Sequence, residues 1–238
     1  MLTPADSPVL FPNQDALARV LSHAVFDLWG VVNNLTSLRP PRWTRYRVSI
    51  FGSARVGVDQ FAYQQVKRLA AALAGMGCDI ITGGGPGMMQ AANEGAAEAD
   101  PEDKVRSVGI RIQLPFEQGS NPYVEKEYEH QTFFTRLHHF VIASDAFVVT
   151  PGGIGTVLEA MIVWQLLQVG HLKDTPLILA GDMWKGLVAW MEKEMLAAQP
   201  QLISPHDLHI PYCVSNCDEA VAILREKHAA WLAAGCVK

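Results

Sequence analysis

YRVSIFGSARVGVDQFAYQQVKRLAAALAGMGCDIITGGG, residues 46–85, decides the fold. Its first seven residues, YRVSIFG (46–52), are a short apolar run of the buried-strand type with a glycine at its end. FAYQQVKRLAAALAGMG (61–77) follows with apolar residues three and four apart and a glycine stop, which predicts a helix. CDIITGGG (78–85) is a second buried-type strand that runs into glycines.

The alternation continues outward from there. GMMQAANEGAAEA (87–99) reads as a short helix and RSVGIRIQL (106–114) as a third strand. In the second half, TFFTRLHHFVIAS (132–144) reads as a helix, AFVVT (146–150) as a strand, VLEAMIVWQLLQ (157–168) as a helix and PLILAG (176–181) as a strand. GLVAWMEKEMLAA (186–198) and EAVAILREKHAAWLAA (219–234) are helical in spacing. Strands alternating with helices predict an α/β fold: a single Rossmann-like, doubly wound parallel sheet with helices on both faces. Residues 1–40 read as a helical N-terminal extension ending in the turn signal RPP, and 41–238 as one domain without an internal linker.

Composition bounds the function. With 49% hydrophobic and 18% charged residues, the 238-residue chain can bury a sizeable core, which excludes a mainly disordered state. A net charge of −5 argues against nucleic acid or an anionic membrane as a partner, because both require a broad basic surface. The four cysteines, Cys78, Cys213, Cys217 and Cys236, form no C-x-x-C pair and read as free thiols. The N-terminus MLTPADSPVL lacks a basic region followed by an apolar core, and no stretch reaches the ~18 apolar residues of a membrane span, so a cytoplasmic protein is expected.

In doubly wound sheets ligands bind beyond the carboxyl ends of the strands, near the point where strand order reverses. Three glycine-bearing turns fall at strand ends: FGSAR (51–55), TGGGPGMM (82–89) and TPGGIGT (150–156). Each can turn backbone N–H groups and a helix N-terminus toward one crevice, which suits a phosphate; singly, each could equally be a tight strand-to-helix turn. The candidate phosphate-binding residues are Gly52, Ser53 and Arg55, then Gly84, Gly85, Gly87 and Met88, then Pro151, Gly152, Gly153, Gly155 and Thr156. No complete G-x-G-x-x-G fingerprint is present, since Met88 stands where the third glycine would be, and there is no G-x-x-x-x-G-K-[ST]. A mononucleotide or sugar phosphate therefore fits better than a dinucleotide or a hydrolysed triphosphate.

GGGPGMM (83–89) and PGGIGTVLE (151–159), with FGSAR and Arg136, resemble the LONELY GUY family and its bacterial relatives, long labelled "possible lysine decarboxylases". The resemblance covers roughly residues 46–200. It implies a nucleotide-binding catalytic domain that hydrolyses the N-glycosidic bond of AMP or cytokinin riboside 5′-monophosphates, giving free base and ribose 5-phosphate. It also implies catalytic roles for Glu159 and Arg136, no cofactor, and a homodimer or larger homo-oligomer. Leu137 stands where the family usually has lysine, and Gln90 where relatives sharing GGGPG often have glutamate; both departures bear on base preference.

The residues themselves support such chemistry. Breaking a ribosyl C–N bond passes through an oxocarbenium-like state, which a carboxylate such as Glu159 can stabilise while orienting or deprotonating water. Thr156, three residues earlier, shares its helix face and could hold the 5′-phosphate; the plain alternative for Glu159 is a surface residue in a first turn. The resemblance implies for Arg136 a phosphate or ribose contact or an ordering partner for Glu159, its alternative being a solvated helix residue, and Arg55 suits phosphate by its guanidinium fork.

Other constellations carry less. His138, His139, His206 and His209 lack a zinc-like ligand set, so they read as surface or capping residues and no metal is expected. RPPRWTRYR (39–47) reads as an extended connection with solvated charges, and Trp164, Trp184 and Trp190 as core or subunit interface. Two further functions compete with hydrolysis. A lysine decarboxylase would need a lysine holding pyridoxal phosphate, and no lysine follows a histidine or lies in a glycine turn. A non-catalytic carrier of a nucleotide or of the molybdenum cofactor shares the fold, and retention of both Arg136 and Glu159 tells against it.

Overall fold

The computed structural model describes residues 18–27, 44–102, 104–113 and 119–235. The chain divides into two compact units, residues 1–42 and 43–238. In the first, the described residues form one helix, α1 (18–27).

The second unit alternates strands and helices. In chain order it holds β1 (Arg47–Phe51), α2 (Phe61–Gly75), β2 (Asp79–Thr82), α3 (Met88–Ala99), β3 (Ser107–Ile112), β4 (Lys126–His130) and α4 (Phe133–Ala143). β5 (Ala146–Val149), α5 (Ile154–Gln168), β6 (Leu177–Ala180), α6 (Asp182–Met191), β7 (Tyr212–Val214) and α7 (Cys217–Ala233) complete it. A π-helical turn, Glu192–Leu196, extends α6, and a 3₁₀ turn spans Pro205–His209.

All seven strands are parallel, in the order β4-β3-β2-β1-β5-β6-β7. The chain winds outward from β1 to β4 and returns to β5 on the other side of β1. The strand order therefore reverses between β1 and β5, and the carboxyl ends of those two strands open a crevice.

Period-two alternation builds a core on each face. Val48, Ile50, Ile80, Val148 and Ile178 pack with α2, α3 and α7, while Phe51, Ile81, Phe147, Val149 and Leu179 pack with α4, α5 and α6. Trp164 and Trp184 are buried in the second core, whereas Trp190 is exposed.

The structure departs from the sequence reading at several places. β4 and β7 were not expected as strands, because KEYEH is mostly polar and exposed and YCV is three residues long. Such edge strands carry no apolar signal; charge on them also blunts edge-to-edge pairing. α5 starts at Ile154 rather than 157, because its first turn IGTV is poor in helix propensity, and α6 starts at Asp182 rather than 186. Two arginines expected to be solvated are paired instead. Arg45 Nε lies 2.6 Å from Asp79 Oδ1, and the buried Arg47 has Nε 3.7 Å from Asp145 Oδ2, to which its backbone amide also donates at 3.0 Å. Residues 39–43 of that tract, and Cys236, lie outside the described residues. Among the described residues no helix is long and apolar enough to cross a membrane.

Candidate functional site

The three glycine turns meet at the strand-order reversal and are stitched to one another. The Ser53 amide donates to Pro151 O at 3.2 Å, and the Met88 amide donates to Ser53 O at 2.9 Å. The first turn is thus bonded to both others. Gly87 makes this contact possible: its φ is +69°, and a Cβ there would stand 2.4 Å from Ser53 O. Of the candidate phosphate-binding residues, Gly52, Ser53, Gly84, Gly85, Gly87, Met88, Pro151 and Gly152 are drawn into this junction. Arg55 is not buried in it; the side chain is exposed beyond the end of β1.

α5 begins at the heart of the junction. Its N-cap, Gly153, has no side-chain cap, so the amides of the first turn, Ile154, Gly155 and Thr156, keep the donor capacity that a helix N-terminus offers an anion. A Cβ on Gly153 or Gly155 would meet nothing within 4 Å, so backbone there borders open space. Thr156 is buried, with Gly152 packed directly on its side chain.

Because α5 starts at Ile154, Glu159 falls in its second turn and is buried, at 9% exposure, instead of lying on the surface. Arg136, on α4, reaches it: Nη1 stands 3.3 Å from Glu159 Oε1. Arg136 is itself anchored at its other end, with Nε donating to Ile110 O at 2.9 Å and the guanidinium over the Phe140 ring, 5.3 Å from its centroid. The plain reading of Arg136 as a solvated residue is therefore set aside. Burial raises the Glu159 carboxyl to about 7, although the Arg136 charge pulls it down. At neutral pH this group can both hold and release a proton.

Several contacts of the site carry no signal in the sequence. Gly83 lies against Arg136: a Cβ would stand 2.4 Å from Nη2 and 2.6 Å from Met89 Sδ. Ile110 contributes through its carbonyl, which any residue could supply. Asn93 and Asn121 fix the second glycine turn from within the core. Asn93 interrupts the small-residue face of α3, a clue visible only once that face is known to be buried.

Of the four histidines expected at the surface, His138 and His139 are instead half-buried on α4. His206 and His209 are exposed on the 3₁₀ turn. His139 forms a hydrogen-bonded pair with His130, Nδ1 to Nε2 at 2.9 Å, and Tyr128 packs edge-on against it. Burial lowers both imidazoles, His139 to about 4. Among the described residues no cluster of three or more His, Cys, Asp or Glu is arranged to hold a metal ion.

The family model described as "Possible lysine decarboxylase" matches residues 89–224, which include Met89, Arg136 and Glu159. The chain belongs to the possible lysine decarboxylase family. Solved structures agree on the family fold. TM1055 aligns with a TM-score of 0.53 at 19% identity, over 76% of this chain and 99% of its own. The molybdenum cofactor carrier protein of Chlamydomonas reinhardtii aligns at 0.55 and 17% identity, over 78% and 99%. The molybdenum cofactor binding protein of Rippkaea orientalis aligns at 0.56 and 17%, over 76% and 96%. No curated protein matches the chain. Four lysines are paired with carboxylates: Lys67 with Glu94 and Glu98, Lys104 with Glu102, Lys185 with Asp182 and Lys193 with Glu194.

Proposed function

We propose that this protein is a nucleoside 5′-monophosphate phosphoribohydrolase, acting on AMP or a related purine ribotide. The observation that carries the reading is the buried Arg136–Glu159 pair, placed one turn beyond an uncapped helix N-terminus bordered by open space. The amides of Ile154, Gly155 and Thr156 would receive the 5′-phosphate, and Glu159 would face the ribose. Water adds to the anomeric carbon as the C–N bond breaks; the bonding pair leaves with the base, which takes up a proton. Glu159 as carboxylate stabilises the developing positive charge and accepts the proton of the attacking water. Arg136 keeps part of the Glu159 population ionised despite burial.

Incubation with a panel of nucleoside 5′-monophosphates, with released bases separated by chromatography, tests the proposal. Base release from AMP, and far less from adenosine, is expected. Tight AMP binding without base release would favour a carrier of the same fold.

A further inference from the structure

The glycine turn after β2 is held by a buried polar network that the hydrolytic chemistry does not use. Thr82 Oγ1 accepts from the Gly84 amide at 2.9 Å and donates to Asn93 Oδ1 at 2.7 Å. Asn93, fully buried on α3, donates through Nδ2 to Ser107 Oγ at 2.9 Å. Asn121, buried in the segment after β3, closes the network from the other side. Its Nδ2 stands 3.1 Å from Gly84 O, 3.0 Å from Gly85 O and 3.0 Å from Asn93 Oδ1, and its backbone amide donates to Gly84 O at 2.8 Å.

One side chain thus draws two successive carbonyls to itself, and that has a directional consequence. A trans peptide points its C=O and N–H in opposite directions. With the Gly84 carbonyl turned to Asn121, the Gly85 amide faces away from Asn121. Three neighbouring positions offer no competing donor: Gly84 donates to Thr82, Met88 donates to Ser53, and Pro86 has no N–H. Glycine backbone at 83–85 has little conformational preference of its own, so this orientation depends on the clasp.

We propose that Asn121 is a positioning residue of the site: by holding the Gly84 and Gly85 carbonyls it aims the Gly85 amide at the sugar-phosphate oxygens of the bound nucleotide. The inference rests on the reading of the crevice as a nucleotide site. Ser107 supplies the matched control, because it joins the same network at Asn93 and Tyr123 O without touching the turn.

The test uses the full chain, with ribose 5-phosphate and AMP as probes in calorimetry and with thermal melts of each variant. Asn121→Ala is expected to weaken both ligands about tenfold more than Ser107→Ala does, the order of one hydrogen bond to a charged group. In the wild-type chain, ribose 5-phosphate should shift the Gly85 amide in a proton–nitrogen NMR spectrum, a readout that needs no variant to fold. Equal weakening by the two substitutions, wild-type affinity in Asn121→Ala, an unmoved Gly85 amide, or no binding by the wild type would each overturn the proposal. Asn121-dependent AMP binding without base release would keep it and remove the hydrolase reading instead.

Discussion

Arg136 Nη1 and Glu159 Oε1 lie 3.3 Å apart, each side chain about nine-tenths buried, although they come from different helices on one face of the sheet. Two buried charges so placed are costly unless they serve each other or a ligand. The pair combines a carboxyl raised to about 7 with a guanidinium whose other end is tethered to β3.

Replacing Glu159 separates binding from chemistry. Glu159→Gln keeps size and hydrogen bonding but removes the negative charge, so AMP affinity should stay close to wild type while turnover falls by about 10²–10⁴. Calorimetry and chromatographic base release on the same preparation check this. Unchanged turnover would reduce Glu159 to a structural partner of Arg136.

Removing the arginine should change the pH profile. In Arg136→Ala the opposing charge is lost and desolvation acts alone, so the Glu159 carboxyl rises further above about 7. The acid limb of kcat should move to higher pH, and turnover at neutral pH should fall. A limb that stays in place would show that the pair is not coupled in solution.

Stability should carry two opposing pH dependences over nearly the same range, from about 4 to about 7. Glu159 is raised from 4.5 to about 7, so the stability it contributes is full below 4.5 and is lost as pH rises through about 7. His139 is lowered from 6.5 to about 4, so its contribution is full above 6.5 and is lost as pH falls through about 4. Urea unfolding at several pH values should show stability rising with pH across this range more steeply in Glu159→Gln than in wild type, and falling more steeply in His139→Gln.

Two glycines of the site should fail differently. Gly153→Val places a side chain where nothing lies within 4 Å, so the fold should survive while AMP binding drops, because the methyl groups cover the first-turn amides of α5. Gly83→Ala places a Cβ 2.4 Å from Arg136 Nη2, so it should displace the guanidinium and lower turnover more than binding. Circular dichroism melts beside the two functional assays distinguish the cases.

A homodimer is expected through the apolar residues that α4 and α5 leave uncovered. Phe134 is 79% and Ile154 88% exposed, with Phe133 and Leu158 about half exposed. Light scattering at micromolar concentration should give twice the chain mass, and Ile154→Glu with Leu158→Glu should return it to the monomer value.

The alternation of strand and helix was legible in the sequence because parallel strands buried on both faces read as near-continuous apolar runs, as in AFVV and LILA. The three glycine turns were legible for a related reason: glycine at a strand end reports a backbone requirement locally. Glu159 and Arg136 could be picked out by motif, and a partnership was one of the roles the resemblance allowed for Arg136, but whether the two meet could not be read from the sequence. It depends on α4 and α5 packing side by side on one face, and on α5 starting early enough to carry Glu159 inward. The edge strands β4 and β7, the contact of Gly83 with Arg136, and the Asn93–Asn121 clasp were likewise settled by the tertiary structure. Each joins residues far apart in the chain through backbone groups or small polar side chains, which have no sequence periodicity to betray them.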